Sequence, residues 1–328
     1  MIAEMDGSDL LGMTWFSTAG PGRPAGGDPP HPDALVRDLL AAYGSADTDV
    51  TVLGAGETFR CYGAGGIALL LGRAPGRGAL ERLRTAQVCA DAARRQGVPT
   101  PAYLAVESRP VPHAICERIE GRAVGQDPRE RAELYAALGD HLRRLHRTPV
   151  IGAGPVRPDS DRIRGCSESW RDHCETFALA LLSDDPVEPV ARLRQLGSLE
   201  RRHWRLFGEL VLEHGRRPTV LCHYDNRDPN LPVAAGGLTV LDWDLARVAP
   251  MSHELIKPEV DRAALLNGYG VPPEGRASLI DDADVAVMMD GLAMSLEWLD
   301  EPRFHGGVRR WLAGIERMPE RFAAGPAR

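Results

Sequence analysis

The stretch Leu221–Val248, LCHYDNRDPNLPVAAGGLTVLDWDLARV, decides how the rest of the chain is read. It opens on His223-x-Asp225, reaches Asn230 five residues later, and closes on Asp242-Trp243-Asp244 after a turn-rich gap. Leu238, Val240 and Leu241 read as a short buried strand that delivers Asp242. Asn226, Asp228, Pro229 and the Gly236-Gly237 pair are turn formers, so both acidic clusters are expected on tight loops. In phosphoryl transfer one carboxylate must orient, and can deprotonate, an attacking hydroxyl. A second carboxylate and an amide oxygen must hold the magnesium ions that bridge the nucleotide phosphates. On this reading Asp225 is the base, Asn230 and Asp242 are the metal ligands, and His223 braces the loop. A solvated turn and an exposed strand end could carry the same letters. The parts found upstream favour the chemical reading.

Those parts begin with a helix at His31–Tyr43, with Leu35, Leu39 and Leu40 at helical spacing. Strands follow at Val50–Leu53, Arg60–Gly63 and Ile67–Leu71, the last two joined by the turn Ala64-Gly65-Gly66. Gly54 and Gly56 lie between the first two strands. A strand–glycine loop–strand can lie over nucleotide phosphates, because glycine lets backbone N–H groups approach closely. A helix at Gly78–Gln96 ends at Gly97-Val-Pro-Thr-Pro. Two further strands are expected at Ala102–Val106 and His113–Ile119. Pro128–Arg147 reads as a helix with Leu134, Leu138, Leu142 and Leu145 on one side. Residues 148–165 read as a Pro/Gly-rich loop, followed by helices at Ser167–Leu182 and Val187–His214. Beyond Pro250 the pattern is helical at Asp261–Leu266, Arg276–Trp298 and Gly307–Phe322.

The chain of 328 residues is 43% apolar and carries a net charge of −7. The negative charge argues against a nucleic-acid surface. It would suit a cationic partner, as would the acidic residues between Asp281 and Glu301, although solvated helix faces look the same. Lys257 is the only lysine. No GxxxxGK[ST] loop exists, and Lys257 itself reads as structural or exposed. No apolar run reaches the roughly eighteen residues of a membrane span. The first residues are acidic and lack the basic and apolar regions of a signal peptide. Six scattered cysteines read as reduced thiols of a cytoplasmic protein, and Cys166, His173 and Cys174 lack a fourth ligand for zinc.

HYDNRDPN followed by VLDWDLARVAP resembles the catalytic and metal-binding segments of the aminoglycoside phosphotransferase family. The resemblance implies a two-lobed, protein-kinase-like α+β fold: a small antiparallel sheet lobe over a larger, mostly helical lobe. Residues 1–30 would be a Gly/Pro-rich tail, 31–118 the small lobe and 119–328 the large lobe. It implies Mg2+, ATP or GTP as co-substrate, and a small-molecule hydroxyl as acceptor. The run ICERIEG resembles the connector between lobes, which would place adenine contacts at Glu117 and Ile119 unless this is a plain edge strand. Two departures stand out. Tyr224 occupies a position where the family typically has glycine. Leu70 stands where a strand lysine would meet the phosphates, and the place of its glutamate partner falls near Ala86. Arg73 or Arg60 could replace the lysine, and Arg73 could pair with Glu81. Two alternatives stay open: a kinase acting on Ser/Thr of a peptide or on a biosynthetic intermediate, and a nucleotide-binding pseudokinase or scaffold, which Leu70 favours.

Overall fold

The computed structural model describes residues 33–45, 49–56, 58–73, 77–125, 127–158, 162–183, 188–196, 199–257, 260–297, 299 and 305–323; the tail expected at 1–30 lies outside them. Strands β1 (Thr51–Ala55), β2 (Phe59–Ala64), β3 (Ile67–Gly72), β4 (Tyr103–Glu107) and β5 (His113–Glu117) form one antiparallel sheet in the order β1-β2-β3-β5-β4. Helix α1 (Asp33–Ala41) packs Val36 and Leu40 against Tyr62, Leu69, Leu71 and Ile115 of this sheet. Truncating one of these side chains, such as Leu40, would cost about 2–5 kcal/mol. Helix α2 (Arg77–Arg95) buries Leu83, Ala86, Cys89, Ala90 and Ala93 at helical spacing. Ala86 and Cys89 share a core with Tyr135, Leu221 and Trp243, so the sheet's helix is continuous with the body below it.

A short strand β6 (Gly121–Arg122) leads out of β5 and pairs with β11 (Val233–Ala234), which pairs in turn with β12 (Gly237–Leu238). Helix α3 (Pro128–Leu145) starts on Asp127, whose side chain accepts from the Arg129 N–H, with proline at the first helical position. Helix α7 (Arg262–Tyr269) crosses it closely. A Cβ on Gly268 would lie 1.8 Å from the Ala136 carbonyl oxygen, and one on Gly139 would lie 2.1 Å from that of Leu265. Both glycines are therefore required by the contact. Helices α4 (Trp170–Leu182), α5 (Glu188–Leu196), α6 (Arg201–His214), α8 (Pro273–Glu297) and α9 (His305–Ala323) share a second core that includes Trp204, Phe207, Tyr224, Met289 and Leu312. The fold is the two-lobed α+β kinase-like one that the resemblance implies.

Three expectations change. Residues 148–165 are not a plain loop: β7 (Val150–Ile151), β8 (Ala153–Val156) and β9 (Ile163–Ser167) join β10 (Thr219–Cys222) and β13 (Arg247–Pro250) in the order β10-β13-β8-β9-β7. These strands are short and rich in Gly and Pro, so neither period nor propensity revealed them. The single helix read over Val187–His214 is two, α5 and α6. The strand expected to run to Leu241 stops at Leu238, and backbone pairing past it is irregular: Val240 N–H donates to Pro99 O and Leu241 N–H to Asn230 O.

Candidate active site

β10 ends at Cys222 and hands the chain to His223, Tyr224 and Asp225, all buried. Tyr224 has φ +74, a left-handed backbone that disfavours a side chain by about 1–2 kcal/mol. Its ring repays part of this by burial. The hydroxyl donates to Asp290, and the Arg247 guanidinium stacks 3.4 Å from the ring centre. Tyrosine thus keeps the tight turn that glycine would make.

Glu254, fully buried in a 3-10 turn at Met251–Leu255, holds this loop from behind. Its oxygens accept from the backbone N–H of His223 (2.8 Å), that of Tyr224 (3.0 Å) and the Asn226 side-chain amide (2.7 Å). Burial opposes its ionisation, but His146, then His223 and the Tyr224 N–H, hold its carboxyl below the usual range. His146, Cys222 and Glu254 lie close enough for a metal, yet their atoms are otherwise committed. The Cys222 thiol, pushed far up by burial, donates to the Ala249 carbonyl, and His146 Nδ1 pairs with the Tyr269 hydroxyl at 2.9 Å. The cluster is a brace. On the other side of the loop Asp228 takes the Arg131 guanidinium (2.6 Å) and the Tyr135 hydroxyl (2.7 Å), both from α3.

Asp225 and Asn230 are brought together: the Asn230 amide nitrogen donates to Asp225 Oδ2 at 2.8 Å and to its carbonyl at 3.0 Å. His223 reaches across to the second acidic loop. Its Nε2 lies 2.7 Å from the Leu241 carbonyl oxygen, and its ring meets Trp243 edge-on at 4.7 Å. Asp242 follows at once, in the left-handed region with φ +61. It is solvent-accessible yet ringed by protein. Burial, then the charge and hydrogen bond of Asp244, push its carboxyl well above the ordinary range; Asp225 adds to this and Arg82 opposes it.

Asp244, the last residue of the second acidic cluster, is enclosed and paired. Arg82 of α2 contacts its Oδ2 through Nη2 at 2.6 Å and through Nε at 2.9 Å. The same guanidinium donates to Thr58 in the glycine loop at 2.6 Å. Arg82 therefore joins the sheet lobe's helix to both loops. Arg73 donates through Nη1 to the Gly56 carbonyl at 2.8 Å, and its N–H bonds Thr58 O, so it closes the glycine loop on itself. A Cβ at Gly54 would meet nothing within 4 Å, and one at Gly56 only the Phe59 carbonyl at 3.7 Å. The chain's own packing demands neither glycine. Glu117 ends β5 on the surface, with Oε2 3.4 Å from the Ala102 N–H, and Ile119 lies in the connector that follows.

Sequence reading missed two cations beside Asp225. Arg227 spans both its oxygens, at 2.9 Å and 2.8 Å. Lys257, expected to be structural or exposed, has Nζ 3.2 Å from Oδ1. Burial alone would raise the Asp225 carboxyl, but Lys257 and Arg227 outweigh it and hold the group at about 2. Arg227 could have been flagged by its place inside the loop. Lys257 had no local signal.

The donors fit a hard divalent cation. Asp242 offers a carboxylate, Asp244 beside it adds a second, and Asn230 keeps an amide oxygen after spending its nitrogen on Asp225. Magnesium takes oxygen ligands of this kind, using one or two carboxylates together with substrate phosphates.

The fold is that of a kinase-like phosphotransferase. The profile of the phosphotransferase enzyme family (APH) matches residues 49–277, and the chain belongs to that family. Solved structures agree on the fold. The GDP complex of wild-type aminoglycoside 2'-phosphotransferase-IIIa superposes with a TM-score of 0.63 at 14% identity, covering 89% of this chain and 100% of that one. Aminoglycoside phosphotransferase APH(4)-Ia gives 0.60 at 17% identity, covering 90% and 100%. The streptomycin–ATP–APH(2")-IIa ternary complex gives 0.57 at 12% identity, covering 89% and 97%. A comparison with curated protein sequences gave no match. Among the described residues no helix is long and apolar enough to cross a membrane.

Proposed function

We propose that this phosphotransferase moves the terminal phosphoryl of ATP or GTP, with Mg2+, to a hydroxyl of a small molecule. The observation that carries the reading is that the two acidic loops are tied together, with Asn230 bonded to Asp225 and the Leu241 N–H on the Asn230 carbonyl, next to the exposed Asp242. Asp225 orients the acceptor hydroxyl and takes its proton, a contribution of about 10²–10⁴-fold. Asn230 and Asp242 hold the metal, whose chemistry is to neutralise charge on the β- and γ-phosphate oxygens. His223 fixes the spacing between the two loops. Gly54 and Gly56, with Arg73 closing their loop, cover the phosphates, and Glu117 and Ile119 meet the base. We divide the chain into a sheet lobe at 31–118 and a helical lobe at 119–328.

Antibiotic-like acceptors are the natural first panel, since the structural relatives are aminoglycoside phosphotransferases. A strongly cationic acceptor gains little support from the region after Asp281. Asp282 is paired with Arg217, Asp284 with Arg262, and Asp290 is buried under Tyr224. The test is transfer from Mg-ATP and Mg-GTP to a panel of aminoglycosides, neutral natural products and Ser/Thr peptides, read by intact mass. The native chain should add one phosphoryl to a small molecule, and Asp225→Ala and Asp242→Ala should not. A peptide-only product would overturn the acceptor class. No transfer by any of the three proteins, with nucleotide still bound, would favour a pseudokinase.

A further inference from the structure

The catalytic-loop aspartate is already neutralised by two cations before any substrate is present, and this needs a reason. Of 39 Lys and Arg residues one is lysine, and it is placed against this carboxylate. The placement is built into the fold. Lys257 stands three residues after Glu254, and Glu254 is locked to the backbone of His223 and Tyr224. Its ammonium lies 4.6 Å from the centre of the Tyr224 ring, and its side chain is only 20% exposed. Arg227, two residues after Asp225, supplies the second charge.

Both carboxylate oxygens of Asp225 are occupied, Oδ1 by Lys257 and Arg227 and Oδ2 by Arg227 and Asn230, so an acceptor hydroxyl can reach it only if a cation moves aside, and a competing anion is what would draw one away. The anion that arrives beside the acceptor hydroxyl is the terminal phosphoryl, with charge on three equatorial oxygens. The sheet lobe offers no lysine for it. Leu70 and buried Ala86 stand where a strand lysine and a helix glutamate would pair, and Arg82 is engaged with Asp244 and Thr58.

We infer that Lys257, assisted by Arg227, is the cation that meets the transferred phosphoryl in this enzyme, taking the part of the missing strand lysine from the opposite side of the cleft. The inference rests on the phosphotransferase reading above. In the step itself the acceptor oxygen bonds to the γ-phosphorus. The bond from phosphorus to the β–γ bridging oxygen breaks, and its electron pair leaves with the nucleoside diphosphate. The hydroxyl proton passes to Asp225 and then to solvent. Lys257 and Arg227 swing from Asp225 to the equatorial oxygens, which frees the base as the phosphoryl charge is compensated.

The test does not need the acceptor. Binding of Mg-AMP-PNP and Mg-ADP is measured by calorimetry, and ATP hydrolysis by water is measured alongside, for the native chain, Lys257→Met, Lys257→Arg, Arg227→Met and Asp242→Asn, with thermal melts as a fold control. Lys257→Met should weaken AMP-PNP about tenfold or more while leaving ADP within about twofold. It should lower hydrolysis about 100-fold, with partial recovery in Lys257→Arg. Equal loss for both nucleotides, or native behaviour in every assay while Asp242→Asn is inactive, would overturn this assignment and leave the phosphotransferase reading standing. If Lys257→Met does not fold, the same triphosphate-selective loss is required of Arg227→Met, and its absence would overturn the proposal. A native chain that neither binds nor hydrolyses Mg-nucleotide would remove both readings together.

Discussion

The two acidic loops are built with opposite electrostatics. At Asp225 the protein supplies the counter-charge itself, through Arg227 and Lys257, and the carboxyl is held at about 2. At Asp242 burial, then the neighbouring Asp244 and Asp225, drive the carboxyl upward, and Arg82 compensates only in part. Crowded carboxylates gain from an added cation, whereas a carboxylate already paired with two cations leaves those cations able to meet an anion. On the proposed reading the Asp242 loop supplies the metal's carboxylate, joined by Asn230 from the first loop, while Lys257 and Arg227 beside Asp225 meet the phosphoryl charge; the division can be tested by changing Asp225 and Asp242 separately.

The largest effect should come from removing one charge in each loop. Asp225→Asn and Asp242→Asn should each lower transfer by about 10³-fold, within the range for a lost base or a lost metal ligand. They should differ in how magnesium affects the melt. A ligand that binds only the folded state raises its stability with concentration. The native chain and Asp225→Asn should gain melting temperature on magnesium titration, and Asp242→Asn should not. Identical magnesium responses in the two variants would end the distinction between the loops.

A second test strikes the support of one loop only. Glu254→Ala leaves the buried donors of His223, Tyr224 and Asn226 without their acceptor, while the Asp242 loop keeps the Trp243 indole on Thr100 (2.6 Å) and Arg82 on Asp244. Breaking a buried charged network of this kind costs about 3–5 kcal/mol. Urea unfolding should show that loss. A change below about 1 kcal/mol would mean that Glu254 is not what holds the loop.

What could be read in advance follows the same division. The spacing of His223, Asp225, Asn230 and Asp242 was legible because a loop delivers its own side chains, and the five-strand sheet was legible because Val50–Leu53, Arg60–Gly63 and Ile67–Leu71 carry strand letters between turn residues. The counter-charges were not. Lys257 meets Asp225 only because Glu254 folds a later segment behind β10, and Arg82 meets Asp244 only because α2 packs on the turn after Asp242. Such pairs depend on tertiary approach, and nothing in a linear pattern reports them. Strands β7 to β9 were hidden for another reason: β7 is only two residues long, and the short β8 and β9 are interrupted by glycine or proline.

The smallest expected effect concerns a third carboxyl on the Asp225 side. Asp290 is fully enclosed beneath Tyr224, and burial raises its group to about 6 although Arg247, Tyr224 and Lys257 all favour the charged form. Between the unfolded value of 3.8 and about 6 the folded chain keeps this proton while the unfolded chain has released it. Stability therefore falls as pH rises through that window and levels off above it, by at most about 3 kcal/mol for a shift of roughly two units. Buried His173 and His214, held neutral by burial at about 3, act in the opposite sense: they cost stability as pH falls below 6.5. The native profile sums the two, so the informative quantity is the difference from Asp290→Asn, which keeps a polar partner for the Tyr224 hydroxyl and cannot ionise. That difference, from chemical unfolding at pH 4.5, 5.5, 6.5 and 7.5, should move in favour of the variant as pH rises and flatten above about 6. A flat difference throughout would place the charge of Asp290 under full compensation by Arg247, Tyr224 and Lys257, as Lys257 and Arg227 compensate Asp225, and the contrast between buried acids would then belong to the Asp242 loop alone.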